Sequence, residues 1–305
     1  MKYDYDIIFP FYKDYRYLLN CIKNINKQTI LAKKIIFIDD GNNNIKLKKI
    51  VRKALNKRIK LTFISNTKNI GPQKSVENNW KKITSKFFFF VAADDIIYRN
   101  YSEENIKLLN QYPEASYIFS NLIINNEINK KKYKIRYNFL KKNFYNKKEI
   151  KDLFKRHQFK IYHNTVVFNT KLFKKNNIFK IFYGERADML NLLFLAYKNG
   201  FVYHNKYLSE FTVRENQWGK RMSDNYLINE LLILKRNQNK FYKFFISTNL
   251  HFDLSVLSIK KLIKLGLINT ISFSWFARSI KFYLWKTLRF ALPSKSLDLL
   301  FKIFN

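Results

Sequence analysis

Between Phe87 and Ile97 the chain reads FFFFVAADDII, passing from four consecutive phenylalanines to two adjacent aspartates inside one short element. Phe87 to Ala92 contains no polar residue, which predicts a strand covered on both faces of a sheet. Asp94 and Asp95 then fall at or just past its carboxyl end. In open α/β sheets that edge is where ligands bind. Adjacent carboxylates there offer oxygen ligands to Mg²⁺ or Mn²⁺ and acceptors to ligand hydroxyls. The plainer alternative is that Asp94 caps a turn and Asp95 is solvated, and the dipeptide alone does not choose between them.

The chain around this stretch repeats one plan. Tyr5 to Phe9 reads as a strand closed by Pro10, followed by a polar, aromatic turn and a helix carried by Leu18, Leu19, Ile22 and Ile25. Lys34 to Ile38 is a second strand, ending in Asp39-Asp40-Gly41, with a helix from Ile45 to about Leu55. Leu61 to Ile64 is a third, and Asn69-Ile70-Gly71-Pro72 opens a helix running to about Ile83. Strands alternating with helices predict an α/β fold with a mostly parallel sheet flanked by helices. Two of the strands end in Asp-Asp, so Asp39, Asp40, Asp94 and Asp95 are expected on one rim, where like charges repel unless a cation or a hydroxyl-rich ligand lies between them.

Together these residues resemble a known family. Pro10-Phe11-Tyr12, Gln28, Asp39-Asp40-Gly41, Asn69-Ile70-Gly71 and Ala92-Ala93-Asp94-Asp95 are similar, in order and spacing over about residues 4 to 100, to the inverting family 2 glycosyltransferases of GT-A fold that build bacterial surface polysaccharides or lipid-linked glycans. The resemblance implies a nucleotide-sugar donor, a UDP-sugar first, bound across the rim with Mn²⁺ or Mg²⁺. Pro10, Phe11, Tyr12 and Gly71 would border the donor and Asp40 would accept a hydrogen bond from its base. Asp94 and Asp95 would share the ribose hydroxyl and the metal. The family often shows Asp-X-Asp-Asp here, and Ala92 stands at the first of those places.

Farther along, a helix is expected from Ser102 to Asn110 and strands at Ser116 to Ile124, Ile161 to Phe168 and Phe201 to Tyr207, with an apolar helix from Met189 to Tyr197. By resemblance, Asp188 at the start of that helix is the general base, with Glu185 as second choice. Inverting transfer needs a carboxylate within hydrogen-bond reach of the acceptor hydroxyl. The stretch Arg214 to Arg221 resembles the family's donor-covering loop, with Arg214 toward the diphosphate, while Trp218 and His163 are expected on the acceptor side. The four histidines lack metal-ligand spacing, which gives no zinc site.

Charge admits other partners. A formal net charge of +36 suits an anionic partner or a compositional bias toward Lys and Asn. Lys130 to Lys160 carries thirteen Lys and Arg interleaved with aromatics, a pattern fit for single-stranded nucleic acid, an anionic acceptor, lipid head groups, or a solvated helical face whose aromatics enter the core. The lone Cys21 reads as a small buried hydrophobe. No apolar leader follows Met1 and no run of 18 apolar residues occurs, so neither secretion nor a membrane span is expected.

The expected division is a catalytic domain over 1–224 and a helical region over 225–305. Between Thr270 and Leu292, Arg278, Lys281, Lys286 and Arg289 fall within an arc of roughly 140° on a helical wheel. Trp275, Phe282 and Trp285 break that face. This predicts a helix lying in a head-group layer, against docking on the catalytic domain as the alternative. The resulting reading is a cytoplasmic transferase, peripheral on the inner membrane face, with a glycan or lipid-linked acceptor and no nucleic acid. A basic nucleic-acid-binding protein on an α/β scaffold and a catalytically silent relative are the alternatives.

Overall fold

The computed structural model describes residues 4–42, 44–157, 160–176, 187–215 and 234–247. The first half repeats strand and helix: β1 (Tyr5–Phe11), α1 (Tyr15–Asn26), β2 (Lys34–Asp39), α2 (Leu47–Ala54), β3 (Lys60–Ser65), α3 (Pro72–Asn79) and β4 (Phe87–Phe90). Then come β5 (Ile96–Ile97), α4 (Tyr101–Leu109), β6 (Tyr117–Asn126), β7 (Lys131–Ile135), β8 (Phe144–Tyr145) and α5 (Lys147–Arg156). The described chain closes with β9 (Val167–Asn169), α6 (Thr170–Asn176), α7 (Ala187–Asn199), β10 (Phe201–Val213) and α8 (Asn239–Ser247).

The strands form one sheet in the order β3-β2-β1-β4-β9-β6-β10-β5, with β7 on β6 and β8 on β10. The long ladders β3-β2-β1-β4 and β6-β10 are parallel, while β9 enters antiparallel between β4 and β6. Side-chain alternation splits the core into two layers. Ile7, Phe9, Phe11, Phe37, Phe87 and Phe89 pack with α1, α2 and α4. Ile8, Ile36, Phe88 and Phe119 pack with α3 and α5 to α8. The four phenylalanines of β4 thus divide between the faces: Phe89 meets Tyr5 and Tyr101, and Phe88 meets Phe168 and Phe173. Each fully buried ring of this kind contributes roughly 2–3 kcal/mol of transfer free energy.

Two expectations change. β1 runs through Pro10 to Phe11. The Ile8 carbonyl faces β4, accepting from Val91 N at 3.0 Å, and Pro10, two residues on, faces the same side beyond the end of β4. Its missing N–H therefore removes no ladder bond. Instead of a strand over Ile161 to Phe168, a 3₁₀ turn at His163–Thr165 precedes the short β9. The Thr165 hydroxyl donates to the Tyr162 carbonyl at 2.7 Å and the Asn164 amide to the Glu210 carbonyl at 3.0 Å, a side-chain competition that bends the backbone.

The basic stretch becomes β7, β8 and α5, the last opened by a capping box between Asn146 and Glu149. Tyr137, Tyr145 and Phe154 enter the core, while Tyr133 stays exposed. Of the expected helical region, α8 docks Phe241 on Phe194 and Phe244 on Tyr197 of α7. The stretch 270–292 lies outside the described residues.

Candidate donor site at the carboxyl edge of the sheet

β2 and β4 flank β1 and both run parallel to it, so Asp39-Asp40 and Asp94-Asp95 emerge on one edge. One strand separates the two pairs, about two strand spacings or roughly 10 Å. Asp40 N donates to Phe11 O at 2.9 Å, fixing the aspartate beside the loop that follows β1.

Asp40 is almost wholly buried and organises the loop before α3. Its Oδ1 accepts from Asn66 Nδ2 at 2.9 Å, Ile70 N at 3.0 Å and Ser75 Oγ at 2.9 Å. Its Oδ2 accepts, among the described residues, from Gly71 N at 2.9 Å alone. A carboxylate oxygen has room for more than one donor, so Oδ2 retains acceptor capacity. The loop after β1 is stitched to that after β2 by Asn42. Its Oδ1 accepts from Lys13 N at 2.8 Å and its Nδ2 donates to Phe11 O at 3.1 Å. Tyr12 is the solvent-facing aromatic of this corner, with the Lys13 ammonium 5.1 Å from its ring centroid. Its hydrogen bond with the Lys13 side chain, then that with Asn69, draws its pKa down. Phe11 is turned inward against Phe9, Phe37 and Tyr15.

The second half of the rim is an acid ledge with its own cation. Arg214, just past β10, donates from Nε to Asp94 Oδ2 at 2.7 Å and from Nη2 to Asp14 Oδ2 at 2.8 Å. Its guanidinium lies 5.5 Å from the Tyr17 ring centroid. Burial opposes the guanidinium charge, and the two carboxylates more than restore it, so the Arg214 pKa lies above its ordinary value. Burial raises the Asp14 carboxyl, Arg214 opposes that rise, and Asp94 adds to it. Asp95 is pushed well above the carboxylate range by burial and then by the charge of Asp94. The Thr212 backbone N–H donates to Asp95, and the Thr212 hydroxyl holds the Asp94 carbonyl.

Among the described residues no group of three or more His, Cys, Asp or Glu side chains is placed to hold a metal. What the ledge offers is Asp95 and the second oxygen of Asp94, two hard oxygen donors. Mg²⁺ and Mn²⁺ accept such partial sets when phosphate oxygens and water supply the rest. The residues therefore fit a cation brought together with a diphosphate, with Ala92 contributing nothing to it.

The His163 ring lies 4.8 Å from that of Phe90, the last residue of β4, tilted by 33°. Asp188 is the second residue of α7, in its first turn. Glu185 and Trp218 lie outside the described residues. Asp14, Asn42, Asn66, Ser75 and Thr212 join the rim without having been singled out from the sequence. Only Asp14 carried a signal, as the acid closing the Tyr12-Lys13-Asp14 turn. The others contribute through hydrogen bonds to partners distant in sequence.

The sequence profile of glycosyl transferase family 2 matches residues 6–175. No curated protein matches the chain. Among solved structures, S. aureus TarS 1–349 in complex with UDP-GlcNAc aligns with a TM-score of 0.62 at 15% identity, covering 88% of this chain and 79% of that one. The same protein with UDP aligns at 0.61 and 16% identity, again covering 88% and 79%. The longer TarS chain aligns at 0.58 and 18% identity, covering 90% of this chain and 50% of that one. At such identity the likeness is one of fold, and that fold is GT-A.

Proposed function

Because this chain belongs to glycosyl transferase family 2 and is thereby a glycosyltransferase, EC 2.4, we propose that it transfers a sugar with inversion from a UDP-sugar to a hydroxyl of a glycan or lipid-linked acceptor in surface-polysaccharide synthesis. One observation carries this reading: Asp40 and the Asp94-Asp95 pair share the edge where open α/β sheets bind ligands, with β1 between them. Support for the nucleotide comes from the likeness in fold to a protein solved with UDP-GlcNAc and with UDP.

In this reading the base lies against Tyr12, with the Oδ2 of Asp40 accepting its N–H, and the ribose and diphosphate run across β1 to Asp94. Pro10 shapes the floor between them and Gly71 keeps the opposing loop close through its N–H to Asp40. Mn²⁺ or Mg²⁺ at Asp95 and Asp94 would supply charge stabilisation for the departing diphosphate. Asp188 takes the proton from the acceptor hydroxyl, its ionised form steadied by the amino end of α7. Glu185 is the reserve base, and His163 and Trp218 border the acceptor. The basic aromatic stretch 270–292, expected from its sequence to lie as an interfacial helix, would hold the enzyme peripherally on the inner face of the cell membrane.

Incubating the protein with UDP-, GDP- and dTDP-sugars and a lipid-linked acceptor tests this. UDP release coupled to acceptor glycosylation is expected, with the product anomer opposite to the donor's. Asp188→Asn is expected to cut turnover at least ~100-fold while donor binding persists. Unchanged turnover removes Asp188 from the mechanism, and no transfer from any donor removes the reading.

A further inference from the structure

Arg214 already does at the ledge what a divalent cation would do. Its fork spans Asp94 at 2.7 Å and Asp14 at 2.8 Å, and its side chain is only 18% exposed. Charge-assisted guanidinium–carboxylate hydrogen bonds are strong, and the planar fork directs one to each aspartate. The clamp is braced from outside. Tyr17, under the guanidinium, donates its hydroxyl to Glu127 at 2.7 Å, and Glu127 N returns a bond to Val213 O at 2.9 Å, one residue before Arg214. A metal ion entering at Asp94 meets one oxygen already taken and a neighbouring positive charge within reach of repulsion.

Resting on the donor-site reading above, we infer that Arg214 makes cation binding at the ledge conditional on the nucleotide. The clamp holds Asp94 and Asp14 together in the free protein, disfavouring the bare ion. The diphosphate then brings the negative charge that lets guanidinium and metal occupy the ledge together. Arg214 is thus a positioning residue that sets the order of assembly, with the nucleotide entering before or with the ion. No bond is made or broken in this step.

The test is Mn²⁺ binding to the full chain, read from the spectroscopic signal of the free ion, with and without UDP and without any acceptor. Wild type is expected to bind Mn²⁺ at least tenfold more tightly with UDP than without. In Arg214→Gln, Mn²⁺ alone is expected to bind at least tenfold more tightly than it does to wild type, shrinking the advantage given by UDP. Arg214→Lys, which keeps the charge but loses the fork, is expected to fall between. Should Arg214→Gln fail to fold, Arg214→Lys carries the test, and affinity no tighter than wild type overturns the inference. Equal Mn²⁺ affinity in wild type and Arg214→Gln overturns it while leaving UDP binding and the donor site standing. Absence of Mn²⁺ uptake by wild type even with UDP overturns both the cation reading and this inference.

Discussion

Asp40 shows how one side chain sets a binding corner. Four donors from Asn66, Ile70, Gly71 and Ser75 converge on its carboxylate, so the loop before α3 is built around a buried negative charge. Asp40→Asn places an amide among those donors and is expected to cost about 1–3 kcal/mol. Denaturant unfolding measures this, and a change within error would mean that the loop holds itself. His204 carries a pH effect away from the rim. Burial lowers its pKa below 6.5, Glu104 opposes, Lys206 assists, and its Nδ1 has no hydrogen-bond partner among the described residues. The fold thus favours the neutral ring and takes up fewer protons than the unfolded chain near that value. The stability this contributes is present above about pH 6.5 and is lost as pH falls through the lowered folded value. His204→Gln is expected to flatten the melting-temperature profile between pH 7.5 and 5.5, and a parallel loss in both proteins counts against this account.

At the scale of elements, the rim depends on how closely the loops after β2 and β3 approach. Gly41 has φ +79°, and a Cβ there would lie 2.3 Å from the Lys68 carbonyl carbon and 2.4 Å from Asn69 N. Gly200, at the turn into β10, has φ +81° and would meet Tyr145 O at 2.2 Å. Both Gly→Ala changes are expected to destabilise by about 2 kcal/mol or more. Only Gly41→Ala should also abolish UDP binding, because the backbone it displaces runs directly into the Asn69-Gly71 segment. Loss of binding in both would reduce the effect to general instability. Much of this arrangement was legible beforehand: the Asp-Asp-Gly end of β2, the β4 phenylalanines and the shared rim all follow from local pattern. The antiparallel entry of β9 and the 3₁₀ turn before it were not, since IYHNTVVF is apolar enough for a strand and its bending rests on bonds to Tyr162 and Glu210. The Arg214 clamp was hidden likewise, joining residues 14, 94 and 214 that no periodicity links.

For the molecule as a whole, one basic cluster among the described residues stands apart from the acid ledge. Lys48, Arg52, Lys57, Arg58 and Lys60 line a cavity of about 410 Å³ where α2 runs into β3, near the amino end of that strand. Among the described residues no helix is long and apolar enough to cross a membrane. The proposed membrane contact therefore depends on the basic aromatic stretch 270–292 together with surface charge. Flotation with anionic vesicles is expected to retain the full chain at physiological salt and to weaken as screening shortens to ~3 Å at about 1 M salt. A chain ending at Gly266 should float several-fold less, and equal flotation of the two assigns contact to the body of the enzyme instead. The central claim, that one edge of the sheet binds a nucleotide diphosphate between Asp40 and Asp94, is tested most directly by calorimetric titration of UDP with Mn²⁺ into wild type, Asp40→Asn and Asp94→Asn. Saturable one-to-one binding by wild type, weakened at least tenfold (about 1.4 kcal/mol) in each variant, is the predicted result. No binding by wild type, or binding that neither substitution changes, contradicts it.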